Sequence, residues 1–207
     1  MTSEEVDTPH GPARIHLRAA GDPKAALILG HGAGGGVNAR DLVAAAGVAL
    51  AQDISAVLVE QPYRVAGRRS PPPARQLDAA WIAVVEHLRG GALRELPLIV
   101  GGRSSGARVA CRTAEAVGAA GVLCLAFPLQ PPRREGAVPA PSRLAELDAV
   151  TVPTLVVQGD RDPFGMPPAG GLREVAVVRG DHGLKSDLPA VTAAVAAWLT
   201  AAVPATG

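Results

Sequence analysis

Aromatic residues are nearly missing from this chain, with two Trp, one Tyr and two Phe among 207 residues. Single-stranded nucleic acids are held by stacking bases on aromatic rings, so that class of partner is excluded. Basic surplus is missing too: 20 Lys plus Arg stand against 19 Asp plus Glu, a formal charge of +1. A phosphate-binding surface needs concentrated positive charge, which argues against nucleic acid in general. The only cysteines, Cys111 and Cys124, fall in apolar segments and offer no disulfide framework, so a reducing cytoplasmic setting is expected. No metal-ligand spacing appears among the five His and two Cys, and no G-x-x-x-x-G-K-[ST] loop is present, so neither a metal nor a phosphate cofactor is expected. Apolar runs such as 116–129 and 191–203 are shorter than the roughly 18 residues of a membrane span. The first ten residues are acidic and lack an apolar stretch, which predicts no signal peptide.

Glycine, by contrast, is plentiful, at 24 residues, and its placement is informative. An apolar run, Leu98-Ile99-Val100, leads into Gly102-Arg103-Ser104-Ser105-Gly106, and a helix-compatible segment follows at once. This G-x-S-x-G context is that of a nucleophile elbow, a sharp strand-to-helix turn that exposes a serine hydroxyl at its tip. The next N–H, that of Ser105, then lies at a helix N-terminus, where partial positive charge favours an oxyanion. Downstream, a strand pattern breaks into a loop carrying Asp160 and Asp162, and a second short strand is followed by Arg179-Gly180-Asp181-His182-Gly183. An acid and a histidine thus sit past the ends of two successive strands, the edge where open α/β sheets keep their sites. His182 is the only histidine after the elbow, while either Asp160 or Asp162 could reach it. Serine needs such partners, because its hydroxyl is a weak nucleophile at neutral pH and an imidazole can take and return its proton. Upstream, Ala25 to Leu29 run into Gly30-His31-Gly32-Ala33-Gly34-Gly35-Gly36, a loop whose bare backbone can aim N–H groups at a substrate oxygen.

Together, His31-Gly32, Gly102 to Gly106, Gly159 to Asp162 and Gly180 to Gly183 resemble the serine α/β-hydrolase superfamily, in particular its small, lidless, dienelactone-hydrolase-like members. The resemblance covers residues 25–199. It implies Ser104 as nucleophile, Asp162 as acid, His182 as base, and the N–H groups of Ala33 and Ser105 as oxyanion hole. It implies no cofactor. Dienelactone hydrolase carries Cys where this chain has Ser104, so its particular substrate is not transferred. A similar subgroup includes a regulatory subunit of the non-specific-lethal histone acetyltransferase complex, in which the fold serves assembly, so fold alone does not define activity.

The length predicts one domain over residues 1–207, with 1–13 as a flexible N-terminal segment. Strands are expected near 14–18, 26–30, 56–60, 97–101, 121–126, 154–158 and 175–178. Helices are expected at 39–52, 75–89, 105–117, 142–147 and 187–202. This alternation, with continuous rather than alternating apolar strands, predicts a three-layer α/β fold: a mostly parallel twisted sheet with helices on both faces. Only about two dozen residues, 128–152, occupy the place where larger hydrolases insert a helical lid, so a minimal, lidless form is expected.

Tyr63, Phe127 and Phe164 each follow a strand that ends near the proposed site, and are expected to line a substrate pocket or else to plug the sheet's edge as core. Arg103, within the elbow, is a candidate substrate-binding cation, and Arg64, Arg68 and Arg69 form a cluster expected to be solvated. His31 is expected to shape the oxyanion loop by hydrogen bonding. The functional expectation is a cytoplasmic, carboxylesterase-like serine hydrolase of small acyl esters or thioesters, with a small-molecule substrate and neither nucleic acid nor membrane as partner. The alternatives are a binding or scaffold protein that keeps the fold, and acyl transfer to an acceptor other than water, peroxide included.

Overall fold

The computed structural model of the chain describes residues 2–132, 136, 138 and 140–203. Eight strands form one sheet: β1 (Thr2–Val6), β2 (Ala13–Arg18), β3 (Ala25–Gly30), β4 (Ile54–Glu60), β5 (Leu98–Arg103), β6 (Gly121–Leu125), β7 (Thr154–Gly159) and β8 (Arg173–Val178). Their spatial order is β1-β2-β4-β3-β5-β6-β7-β8. The six strands from β4 to β8 pair in parallel, while β2 runs antiparallel to β4 and β1 antiparallel to β2.

Between them lie α1 (Arg40–Ala51), α2 (Pro62–Val65), α3 (Ala74–Gly90), α4 (Ser105–Thr113), α5 (Leu144–Asp148) and α6 (Leu188–Ala202). Side chains alternate across a strand, so β3, which is buried throughout, supplies both faces of the sheet. Ala26 and Ile28 join a core with Trp81, Val84 and Val85 of α3 and Ala107 and Ala110 of α4. Ala25, Leu27 and Leu29 join the opposite core, with Leu42 and Ala46 of α1 and Val195 and Leu199 of α6. The result is the expected helix–sheet–helix layering. Cys111 and Cys124 are buried with their sulfurs 3.5 Å apart, both as free thiols.

The N-terminal segment departs from the flexible lead-in expected over 1–13. Residues Thr2–Val6 form an edge strand, with Glu5 paired to Arg14 at 2.6 Å and Glu4 bonded to His87 at 2.9 Å. Four of its five residues are exposed, so the strand carries none of the apolar pattern by which the others are recognised. Carboxylates on an edge strand also discourage pairing with another chain. The elbow helix is shorter than expected. It ends at Thr113, whose hydroxyl donates to the Val109 carbonyl, and 114–118 continue as turns closed by Gly118 at φ +55°. Between β6 and β7, the described residues hold only the five-residue α5. Arg108 and Arg112 of α4 both reach Glu146 of α5, and Arg112 also binds Asp78 of α3.

Candidate active site

The elbow is built by close backbone approach. A Cβ on Gly102 would lie 2.5 Å from the Gly30 carbonyl oxygen, and one on Gly106 only 2.3 Å from the same atom. Both positions therefore exclude any side chain, and the turn between β5 and α4 packs directly against the end of β3. Strain concentrates on the residue between them. Ser104 has φ +52° and ψ −108°, a left-handed conformation that L-residues with a side chain rarely adopt. Its N–H donates to the Leu125 carbonyl at 2.9 Å, which ties the tip to the end of β6.

His182 stands between Ser104 and Asp162. Its Nε2 lies 2.9 Å from Ser104 Oγ and its Nδ1 lies 2.8 Å from Asp162 Oδ2. A carboxylate can only accept, so the proton belongs on Nδ1, and Nε2 is left free to accept from the serine hydroxyl. Asp162 sits in the turn after β7 with its side chain 1% exposed, and its carboxylate is fully engaged. Oδ2 also accepts from Gln158 Nε2 at 2.8 Å, and Oδ1 accepts from the Phe164 N–H at 2.9 Å. Asp160 points elsewhere and accepts from the Gly180 N–H at 2.8 Å. The two carboxylates that the sequence left open are thus separated by geometry. The N–H groups of Ala33 and Ser105 have no protein acceptor among the described residues.

A family model described as an alpha/beta hydrolase domain matches residues 23–186. The chain belongs to that family. Among curated proteins no match is found. A lidless α/β serine hydrolase from Xanthomonas campestris shares 18% identity and a TM-score of 0.78, covering 100% of this chain and 96% of its own. Est1E from Butyrivibrio proteoclasticus shares 15% identity at a TM-score of 0.77, covering 98% and 99%. Dienelactone hydrolase from Anabaena variabilis shares 14% at 0.74, covering 97% and 96%. At these identities the likeness is one of fold.

Around the elbow of this α/β hydrolase, the flanking residues separate into those that face the histidine and those that support the loops. Phe164 is half-buried with its ring 4.4 Å from that of His182, centroid to centroid. Phe127 is different. It is completely buried, so the expectation that it lines a pocket is corrected in favour of core packing at the end of β6. Tyr63 is 6% exposed and donates its hydroxyl to the Ala33 carbonyl at 2.9 Å, bracing the glycine loop from behind. It also borders a cavity of about 330 Å³ whose walls include Pro62, Leu77 and Ala80 but neither Ser104 nor His182. His31 is buried beneath the same loop, where Nε2 accepts the Gln61 N–H at 3.1 Å and Nδ1 donates to the Gly32 carbonyl at 2.8 Å. Burial, with a smaller contribution from Arg64, lowers its pKa, against the opposing pull of the Gly32 carbonyl.

Arg103 also departs from the expected role. Rather than facing the cleft as a free cation, its guanidinium is committed to Asp41 Oδ2, 3.0 Å from Nε, and to the His182 carbonyl, 2.8 Å from Nη2. Gln158 and Asp41 are thus supporting residues to which the sequence reading gave no role, and Arg103 is one to which it gave another. The one available signal was a glutamine inside an otherwise apolar strand, since a buried amide requires partners. Arg64 is half-buried and Arg68 and Arg69 are exposed. Among the described residues no helix is long and apolar enough to cross a membrane.

Proposed function

We propose that this α/β hydrolase cleaves small acyl esters or thioesters through an acyl-enzyme on Ser104. The observation that supports this reading is the position of His182, within hydrogen-bond reach of both Ser104 Oγ and Asp162 Oδ2. As the hydroxyl attacks the substrate carbonyl, its proton passes to His182 Nε2, and the imidazolium is stabilised by Asp162. Negative charge develops on the carbonyl oxygen, where the N–H groups of Ser105 and Ala33 act as donors. His182 then returns the proton to the departing alcohol or thiol, leaving the acyl group on Ser104. Water repeats the sequence with His182 again as base, releasing the acid and restoring the serine. No cofactor takes part. Est1E, a neighbour in fold, has been solved with ferulic acid bound, which is in keeping with small carboxylic acids as products.

The test is Ser104→Ala on short p-nitrophenyl esters. Loss of the hydroxyl should lower kcat by about 10³-fold or more, because members of such a unit cannot substitute for one another. Unchanged turnover in a folded Ser104→Ala protein would overturn the reading and move the chemistry away from Ser104.

A further inference from the structure

We propose that Arg103 and Asp41 form a positioning pair that locks the His182 segment against the elbow. The proposal rests on the acyl-enzyme reading above. Arg103 is the variable residue of G-x-S-x-G, so its backbone is part of the elbow itself. Its side chain turns back and touches three other segments. Nε lies 3.0 Å from Asp41 Oδ2 in the first turn of α1, and Nη2 donates to the main-chain carbonyl of His182. Nη1 stands so close to the glycine loop that a Cβ on Gly32 would come within 3.1 Å of it. One planar fork therefore joins nucleophile turn, oxyanion loop, helix α1 and the backbone of the base.

The carboxylate is what holds that fork in place. Asp41 is 1% exposed, and burial raises its pKa while the neighbouring guanidinium pulls it back. A buried carboxylate needs a compensating charge, and Arg103 supplies it. In exchange, the Asp41 charge, paired with Nε at 3.0 Å without an aligned hydrogen bond, holds the Arg103 side chain beside α1, with Nη2 at the His182 carbonyl. Among the described residues, the segment it steadies is anchored on its N-terminal side only, and Arg103 adds the anchor at His182 itself. His182 lies between Gly180 at φ +139° and Leu184 at φ +48°; Gly180 is tied to the turn after β7 through Asp160 and Arg161, whereas Gly183 and Leu184 bond back to Asp181 within the segment. Lysine at 103 could meet one partner but not both, since an ammonium is a point charge without the guanidinium's fixed fork. A misplacement of about 1 Å in a reacting group can cost about 10²-fold in rate.

The experiment compares Arg103→Lys, Arg103→Met and Asp41→Asn with wild type and with Ser104→Ala, on a neutral short ester and on its hemisuccinate counterpart. Circular dichroism and Tm establish that each variant is folded at the assay temperature. The pair as a positioning device predicts a kcat lowered about 10- to 100-fold with KM within about twofold, Arg103→Lys falling between Met and wild type, and the same loss on both esters. It also predicts that the low-field proton resonance of the His182–Asp162 hydrogen bond broadens or shifts in Asp41→Asn. Loss confined to the anionic ester through KM would overturn the proposal and make Arg103 a substrate-binding cation. Wild-type kcat and resonance in folded Arg103→Lys and Asp41→Asn, with Ser104→Ala inactive, would overturn it while leaving the acyl-enzyme reading intact. If Ser104→Ala matches wild type, it is that reading which fails. If Arg103→Met does not fold, the other two variants carry the same comparison.

Discussion

Asp162 and Asp160 differ in what surrounds them rather than in reach. Asp162 is enclosed and receives hydrogen bonds from His182, Gln158 and the Phe164 N–H, whereas Asp160 is exposed and caps the Gly180 N–H. Asp162→Asn should therefore lower kcat by about 10³-fold or more, through loss of the tautomer that leaves Nε2 free, while Asp160→Asn should cost far less. Steady-state kinetics on one ester ranks them, and the reverse ranking would move the acid to Asp160. His31 gives a prediction about stability. Its pKa is lowered in the folded chain by burial, so as pH falls below about 6.5 the unfolded chain takes up a proton that the folded one refuses. Stability present above that value is lost on acidification. Melting curves from pH 7.5 to 5 should show a steeper fall in Tm for wild type than for His31→Asn; parallel curves would remove His31 as the cause. The raised pKa of Asp41 acts with the opposite sign, favouring the folded state at low pH, but it is common to both proteins and cancels. Ser104 and His182 could be read from the chain because their motif and order are local facts. The environment of Arg103, Tyr63 and Phe127 could not, since each depends on contacts made by segments distant in sequence.

Among the elements, the elbow is the one whose sequence most tightly dictates its form. Gly102 and Gly106 are required by the proximity of the Gly30 carbonyl, not by positive φ, which falls on Ser104 instead. Gly106→Ala should destabilise the protein by about 2 kcal/mol or more, because the added carbon meets backbone that cannot yield. Gly34→Ala, with nothing within 4 Å of its added carbon, should stay within about 0.5 kcal/mol. Urea denaturation of the two variants makes the comparison, and equal midpoints would contradict the packing described. The buried strands β3, β4 and β7 were legible as largely apolar runs because both of their faces are covered. Strand β1 was not. At a sheet edge both faces meet solvent, and Thr-Ser-Glu-Glu-Val carries the signature of neither strand nor helix. The end of α4 was missed for a related reason, as 114–118 remain helix-compatible in composition while Gly118 closes them into a turn.

At the scale of the whole molecule, every proposed reacting group comes from the same edge of one sheet, the C-terminal ends of β5, β7 and β8. Within the connection from β6 to β7, α5 is tied to α4 through Glu146, so that element is anchored rather than hinged. Soluble short-chain esters should then give ordinary saturation kinetics, and tributyrin assayed across its solubility limit should show no jump in rate; a sharp rise would mean that part of 128–152 acts as a cover. Parallel order and layering could be foreseen from the alternation of strand and helix signals, but the path into the site could not, because it is made by loops meeting in space. At the centre of the proposed chemistry stands Ser104 as a nucleophile activated by His182. Labelling the folded protein with a fluorophosphonate and mapping the adduct by mass spectrometry tests it directly. A single adduct on Ser104 is expected, abolished in Ser104→Ala and strongly slowed in His182→Ala; no adduct, or one on Ser105 that survives loss of His182, would contradict that role for Ser104.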